Sequence, residues 1–288
     1  MRAKAIAHGA VTVVNAISTG KGAALGIDLW TVADVRLSDH SKEIHVHIKS
    51  DPEENPQLAR QTVRDILRRF NAEDRYGAEV SIDSNIPIAR GLKSSSAAAN
   101  AIALATVSAL GRKLSDVELV KLGVKAAIES KVTITGAFDD ACASYFGNLV
   151  VTDNKRLRIE KICEISKDYY VLIHVPKSKS YTIKSNIKGM KAIAPLIRLA
   201  HRQTLSGNHW DAMCLNGYAH TIALGYNPEI AMNALSAGAV ASGLSGKGPA
   251  TAAVVAPSKV DSVKKAWRRY PGDIVTSRIN RKKAHIVR

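Results

Sequence analysis

The residues best suited to chemistry lie between Pro87 and Ala97, where a glycine and three consecutive serines precede a run of small apolar residues. That run, from Ala97 to Leu110, predicts a buried helix that ends at Gly111. A turn leading into a helix start presents unpaired backbone N–H groups and the positive end of the helix dipole, which together bind phosphate. The serine hydroxyls can donate to phosphate oxygens or bind a metal ion held there. One helix cap needs only one side chain, so three serines favour a nucleotide-triphosphate site over capping alone.

A second glycine-rich segment, Gly243 to Gly248, lies near the end of the chain and would let the backbone approach a phosphate or an acceptor closely. Alternatively, it is a simple turn before a strand. The common phosphate-binding loop G-x-x-x-x-G-K-[ST] is absent, because both Gly-Lys pairs, 20–21 and 246–247, are followed by glycine. No G-x-G-x-x-G opens a helix after a strand either. Ordinary P-loop and dinucleotide-binding folds are therefore disfavoured.

Carboxylates lie in the middle of the chain. Asp139 and Asp140 are adjacent in a loop led by Gly136, and Glu129 precedes Asp140 by eleven residues. Adjacent aspartates in such a loop are typical of a turn or a cap. Near bound phosphate, carboxylates can instead hold Mg²⁺ or orient an acceptor hydroxyl and take its proton. The residues alone leave both interpretations open.

The elements that must position these groups follow from hydrophobic spacing, turn residues and caps. Strands are predicted at 5–14, 24–37, 44–49, 78–82, 148–152, 169–175, 250–256 and 273–279. Helices are predicted at 57–70, 97–110, 115–130, 187–205, 210–224, 229–237 and 258–268. Interspersed strands and abundant helices predict the α+β class, with mixed sheets and helices packed against them. The polar stretch from Lys155 to Lys167 suggests a boundary between an N-terminal domain, 1–165, and a C-terminal domain, 166–288.

Composition narrows the class of protein further. The 288 residues include 41 Lys and Arg against 25 Asp and Glu, a net charge of +16. Such a charge indicates either a solvated basic surface or attraction of small anions. Three widely spaced cysteines argue for a reducing compartment. We find neither a signal peptide nor a membrane span, so a cytoplasmic location is expected.

The pattern P-x-x-x-G-L-x-S-S-S-A, at 87–97, resembles the signature of the GHMP kinases, the superfamily of galactokinase, homoserine kinase and mevalonate kinase. The order of the Gly-Lys-Gly turn, the acidic loop and the second glycine loop agrees, so the resemblance spans most of the chain. The stretches 90–97, 136–141 and 242–249 most resemble the archaeal shikimate kinases. This resemblance implies a two-domain GHMP kinase fold, ATP and Mg²⁺, and phosphorylation of shikimate on the route to chorismate and the aromatic amino acids.

The resemblance also implies roles for particular residues. Asp140 would be the catalytic aspartate, Ser95 and Glu129 would hold Mg²⁺, and Asp139, Gly246 and Gly248 would form a loop on the substrate side. The ATP-binding residues would be Pro87, Ile88, Ala89, Arg90, Gly91, Leu92, Lys93, Ser94, Ser95, Ser96 and Ala97.

One residue departs from the mevalonate kinase pattern. Those enzymes carry a first-strand lysine beside the catalytic aspartate, and here that position is Ala10. Either no lysine assists Asp140, or Lys21, Lys93 or Lys247 replaces it. The basic residue that would bind a substrate carboxylate is also left open among Arg2, Lys4, Lys184, Lys188, Arg278 and Arg281.

Two alternatives to a shikimate kinase are kept. A homoserine kinase shares the Pro-Ile-x-Arg-Gly-Leu segment, although that family tends to lack the catalytic aspartate. A basic RNA-binding protein would explain the charge, but it does not explain two phosphate-type loops with a Glu129/Asp140 pair. We therefore expect small-molecule partners, with neither nucleic acid nor membrane.

Overall fold

The structure is a computed structural model that describes residues 1–133, 136–177 and 187–287, with the side chains of Ile187 and Lys188 excepted. Its strands are β1 (Arg2–Val14), β2 (Lys21–Ser38), β3 (Ile44–Ile48), β4 (Gly77–Ser84), β5 (Leu149–Asp153), β6 (Arg158–Cys163), β7 (Tyr170–Val175), β8 (Ala241–Leu244), β9 (Thr251–Val255), β10 (Asp273–Arg278) and β11 (His285–Val287). Its helices are α1 (Gln57–Arg69), α2 (Ser94–Ala109), α3 (Asp116–Glu129), α4 (Phe138–Phe146), α5 (Ile187–Ala192), α6 (Ala194–Leu205), α7 (His209–Leu224), α8 (Glu229–Ser236) and α9 (Val260–Trp267).

The described strands form two sheets. In the larger sheet the order is β11-β1-β2-β4-β3, and β5 and β6 extend it from β2. The strand β2 is long enough to pair with β5 through its first residues and with β4 through its last, while β1 runs antiparallel along its other edge. The pairing of β3 with β4 is parallel, so this sheet is mixed. The smaller sheet has the antiparallel order β10-β7-β9-β8.

Helix α2 passes through the middle of the core. Its side chains are mostly Ala, Ile, Val and Leu, and a helix that is apolar on most of its surface is stable only when buried on most sides. Ile102 and Ala105 are fully buried in a cluster with residues of β1, β2, α1, α3 and α4. The predicted end of the helix at Gly111 is confirmed, since Gly111 has φ +64° and donates to the Ser108 carbonyl. Because most of α2 is buried, the position of its N-terminal end is fixed.

The sequence predicted the class and most elements correctly. The α+β class is confirmed, and the capping box predicted for α3 is present, with Ser115 Oγ accepting from Glu118 N–H. Two predictions were wrong in detail. The helix predicted at 187–205 is divided at Ile193 into α5 and α6. The acidic segment predicted as a loop begins helix α4 at Phe138, and residues 134–135 of that segment lie outside the described residues.

The predicted boundary at 165/166 stays a prediction. Strand β11, from the end of the chain, pairs with β1 in the larger sheet. One apolar cluster also joins the two halves, with Val11 and Leu25 in contact with the group that includes Val171 and Val254. The two halves therefore share a core, which fixes the positions of the residues that lie between them.

Candidate active site

A cavity of about 490 Å³ lies where the phosphate-type turn, the acidic helix and the second glycine loop meet. Part of it is lined by Thr12, Asn15 and the 246–248 loop. Residues next to α1 and α3, among them Asn55 and Ser130, also line it. The start of α2, Ser94–Ser96, and the acids Asp139 and Asp140 also line it. Segments far apart in the sequence are thus brought together as the motifs predicted.

The start of α2 is open toward this cavity. The helix begins at Ser94, earlier than the predicted Ala97, so the three serines form its first turn. No side chain caps this end, and the first turn contains no acidic residue. The N–H groups of a first turn have no partner within the helix. An uncapped, partly exposed helix start with three hydroxyls fits an anion better than it fits the simple capping alternative.

The residue before the helix has an unusual backbone conformation. Lys93 has φ +66° and ψ +33°, the left-handed region that costs free energy for a residue with a side chain. Its Nζ lies 3.1 Å from Asp140 Oδ2, and the two side chains are only 8% and 15% exposed. The other carboxylate oxygen, Asp140 Oδ1, is buried and has no hydrogen-bond partner among the described residues. One oxygen of Asp140 is thus held by a cation, and the other keeps an unused capacity to accept a hydrogen bond.

The Lys93–Asp140 ion pair shows which of the three lysines left open by the sequence contacts Asp140. Lys21 lies elsewhere and forms ion pairs with Asp153 and Glu160. Ala10 is fully buried in the core. Lys247 lines the cavity, and burial together with nearby Lys93 lowers its pKa to about 8. Lys93 is therefore the cation that contacts Asp140.

Asp139 lies behind Asp140 and is almost fully buried. Asn154 Nδ2 donates to Asp139 Oδ1 at 2.7 Å, and Asp139 N–H donates back to Asn154 Oδ1 at 3.2 Å. A Cβ atom at Gly22 would lie 2.3 Å from Asp139 Oδ2, so glycine is required there. Burial, with a smaller contribution from Asp140, raises the pKa of Asp139 to about 7.

We expect Asp139→Asn to stabilise the fold increasingly as the pH rises. The pKa of this carboxyl is near 3.8 in the unfolded chain and about 7 in the folded protein. The contribution of the carboxyl to the stability of the fold is therefore complete below about pH 4 and is lost as the pH rises through 7. Asparagine has no such dependence and can still accept from Asn154. The difference in melting temperature between the variant and the native protein should increase from pH 5 to pH 8. The increase should be roughly 2–4 °C for each kcal/mol by which the native protein loses unfolding free energy relative to the variant. Thermal melts at the two pH values test this, and a constant difference would contradict it.

The second glycine loop is anchored on β1 and on the phosphate-type turn. Gly246 N–H donates to Thr12 Oγ1 at 2.8 Å, and Asn15 Nδ2 donates to the Gly246 carbonyl at 2.8 Å. Ser245 Oγ donates to the Gly91 carbonyl at 2.8 Å. A Cβ at Gly246 would lie 2.9 Å from Lys93 Nζ, so this glycine leaves room for the lysine that contacts Asp140. The loop and the acid are thus positioned together.

Not every predicted residue reaches the cavity. Of the stretch 87–97, Ile88, Ala89 and Gly91 line it together with Lys93 and the serines, and Gly246 and Gly248 line it from the second glycine loop. Leu92 and Ala97 are buried in the core, and Arg90 Nη2 donates to the Lys177 carbonyl at 2.6 Å. Pro87 is not among the lining residues.

Glu129 also lies outside the cavity lining. Gln61 Nε2 donates to its Oε2 at 2.6 Å, and Lys125 Nζ is 3.6 Å from its Oε1. The structure therefore brings Ser95 and Asp140 to one site but does not bring Glu129 there.

The basic candidates for a substrate carboxylate are also accounted for. Arg2 is bound to Asp34, Arg278 to Asp168, and Arg281 to the carbonyls of Ile165 and Lys167. Lys4 is exposed on β1 and does not line the cavity. Lys184 and the side chain of Lys188 lie outside the described residues.

Sequence reasoning missed the polar residues at the end of β1 and the residue that orients Asp139. Thr12 lies in β1 and Asn15 directly follows it, and a buried polar side chain in or next to an apolar strand was the available signal. For Asn154 the sequence carried no such signal, because it lies in a polar stretch.

Comparisons with known proteins define the class first. Residues 57–148 match the family described as GHMP kinases N terminal domain. Homoserine kinase from Cytophaga hutchinsonii, 18% identical, superimposes with a TM-score of 0.77 over 99% of this chain and 97% of that one. The L. major mevalonate kinase, 15% identical, has a TM-score of 0.77 over 96% and 95%. The fold is that of the GHMP kinases.

Relatives at higher identity define the family within this class. The shikimate kinase of Methanosarcina mazei is 44% identical over 278 residues, which cover 96% of this chain and 94% of the relative. That of Pyrococcus furiosus is 42% identical over 280 residues, 96% and 99% of the two chains. The chain belongs to the archaeal shikimate kinase family, and the resemblance noted from its motifs is confirmed.

Proposed function

We propose that this chain transfers the γ-phosphoryl group of ATP to a hydroxyl of shikimate, giving shikimate 3-phosphate. The observation that carries the proposal is the Lys93–Asp140 pair, which shares one cavity with the open start of α2. Relatives named shikimate kinase, 40–44% identical over nearly the whole chain, support this choice of acceptor. The chain is thus a kinase with an alcohol group as acceptor.

The nucleotide would lie with its phosphates at the start of α2. Phosphoryl transfer depends mainly on positioning and on neutralising charge. The first-turn N–H groups and the hydroxyls of Ser94, Ser95 and Ser96 supply donors without any rearrangement of the buried helix. The part of the cavity between α1 and α3, near Asn55 and Ser130, leaves room for the rest of the nucleotide.

Asp140 would orient the acceptor hydroxyl. Asp140 lines the cavity and its Oδ1 has no partner among the described residues, so the carboxylate would accept the hydrogen bond of an alcohol and take the proton late in transfer. Lys93 holds the other oxygen and so fixes the orientation of the carboxylate. An unpartnered buried oxygen costs free energy in the empty site, and the bound hydroxyl would remove that cost.

The serine hydroxyls near Asp140 fit a magnesium ion carried by the nucleotide. Mg²⁺ prefers hard oxygen ligands, and the Ser94–Ser96 hydroxyls and the Asp140 carboxylate line one cavity. When bound, the ion would neutralise charge on the transferred phosphoryl group. Ser95 remains our proposed ligand, whereas Glu129 would have to leave Gln61 and Lys125 to take part.

The partners that this function requires are small molecules, ATP and shikimate. Among the described residues, no helix is both long and apolar enough to cross a membrane. The three cysteines are free thiols. We propose a cytoplasmic location because free thiols are typical of a reducing compartment.

An acceptor panel tests the function. We expect the purified protein with MgATP to phosphorylate shikimate with a kcat/KM at least about 100-fold above that for homoserine or mevalonate, because a site built for one set of polar groups rejects acceptors that leave them unpaired. Coupled ADP release measures turnover, and NMR of the product locates the phosphate. Preference for homoserine would instead indicate that the protein is a homoserine kinase. Absence of turnover with every acceptor, together with salt-sensitive binding of RNA, would favour a nucleic-acid-binding protein.

A further inference from the structure

The cavity contains a cation that the proposed transfer does not use. Its lysines among the described residues are Lys93, Lys131 and Lys247. Lys93 is bound to Asp140, and Lys131 follows α3 at the end of the cavity proposed for the nucleotide. Lys247 forms no hydrogen bond or ion pair with any residue that the structure describes, although it is half-buried. An ammonium group that lines a cavity, is partly removed from water and has no direct anionic partner favours an anionic ligand there.

The position of Lys247 is fixed by its neighbours. Gly246 is bonded to Thr12 and Asn15, and Gly248 N–H donates to the Ser245 carbonyl at 2.9 Å. This places the lysine next to the end of β1, on a different segment from Asn55 and Ser130, which adjoin α1 and α3. It is also close enough to Asp140 and Lys93 for both charges to affect its pKa. An anion bound to Lys247 would therefore lie beside the acceptor hydroxyl and away from the proposed nucleotide end.

We infer that Lys247 binds the carboxylate of the acceptor and so determines that the acceptor is a hydroxy acid. The inference rests on the proposed function, since the acceptor hydroxyl must lie at Asp140. In shikimate the carboxyl-bearing ring carbon is two positions from the carbon that carries the 3-hydroxyl. A ring of that size can place its hydroxyl at Asp140 and its carboxylate at Lys247 on the adjacent glycine loop. The candidates suggested from the sequence did not include this lysine.

Replacing the acceptor carboxylate and Lys247 in turn tests the inference. For the native enzyme, replacing shikimate by its methyl ester should lower kcat/KM roughly 10- to 100-fold, the effect of losing one charge-assisted hydrogen bond. Lys247→Met should lose a similar factor with shikimate and should no longer distinguish the acid from the ester. Its KM for MgATP should stay within about twofold of the native value, because the nucleotide phosphates lie at α2. Lys113→Met, which removes an exposed lysine outside the cavity, is the charge-matched control.

The pH dependence gives a second readout. Burial and Lys93 lower the pKa of Lys247 to about 8 in the free enzyme, so kcat/KM for shikimate should fall as the pH rises above 8. Lys247→Arg stays charged there and should lose this decline. Among the described residues, the titratable groups near the loop include Lys93, Asp140 and Tyr226, and Asp139 lines the same cavity with a pKa of about 7; all four are unchanged in the arginine variant.

Two results would overturn the inference without touching the proposed function. Lys247→Met could keep the native preference for the acid over the ester, or it could raise the KM for MgATP while leaving that for shikimate unchanged. The second result would assign the lysine to the phosphates. Failure of the native enzyme to phosphorylate shikimate would instead reject the proposed function. Circular dichroism and thermal melts of each variant establish that it is folded.

Discussion

Asp140→Asn is expected to lower kcat by roughly 100- to 10,000-fold, the usual contribution of a positioned general base. Asparagine has nearly the same shape, but it cannot accept the proton of the acceptor hydroxyl. It also leaves the Lys93 ammonium, now 3.1 Å from a carboxylate oxygen, without an opposite charge. The start of α2 is unchanged, so binding of the nucleotide should be largely kept. Single-turnover kinetics measures the chemical step, and calorimetric titration with a non-hydrolysable ATP analogue measures binding.

The control and the contrary outcome separate Asp140 from its neighbour. Asp74→Asn removes an exposed carboxylate that does not line the cavity, and its kcat should equal the native value. Near-native turnover in Asp140→Asn would reject Asp140 as the acid that orients the acceptor. Asp139 would then be the alternative, although burial keeps it protonated to about pH 7 and Asn154 already occupies one of its oxygens.

The phosphate-binding turn could be predicted from the sequence because its signal is local. Three serines after a glycine and before an alanine-rich run predict both the helix and its open start, and the structure has both. The start itself was placed three residues late. Serine has a lower helix propensity than alanine, so the serines were assigned to the turn. In the structure the left-handed Lys93 ends the turn, and the buried body of α2 outweighs the propensity of its first residues.

The surroundings of the acids could not be predicted because they depend on contacts between distant segments. Glu129 lies eleven residues before Asp140, yet α3 directs it toward Gln61 on α1. Helix α4 was missed because it has only nine residues and carries two aspartates in its first turn soon after Gly136, a pattern that is also typical of a turn. The choice of Lys93 over Lys21 depends on where β2 and the start of α2 lie in space, and spacing along the sequence carries no such information.

Lys93→Met is expected to lower kcat roughly 10- to 100-fold, since a charge-assisted hydrogen bond to a buried carboxylate is worth about 1.5–3 kcal/mol and each 1.4 kcal/mol is tenfold in rate. Methionine keeps most of the length of the side chain. Its cost in the left-handed conformation is similar, because both side chains are unbranched at Cβ. Lys93→Arg restores the charge and should recover part of the rate. Lys113→Met, which removes an exposed lysine, should have native turnover.

Combining the two variants distinguishes the ways in which Lys93 could act. If the lysine acts by holding the Asp140 carboxylate, it has nothing to hold once that residue is asparagine. The double variant Lys93→Met/Asp140→Asn should then be no slower than Asp140→Asn alone, as groups that act as a unit are strongly non-additive. If Lys93 instead neutralises the transferred phosphoryl group directly, its loss should lower the rate by the same factor in both backgrounds and should raise the KM for MgATP. A lysine that only supported the fold would lower the melting temperature and leave kcat of the folded enzyme unchanged. The buried 3.1 Å pair beside an unpartnered Asp140 Oδ1 leads us to expect the first of these three results.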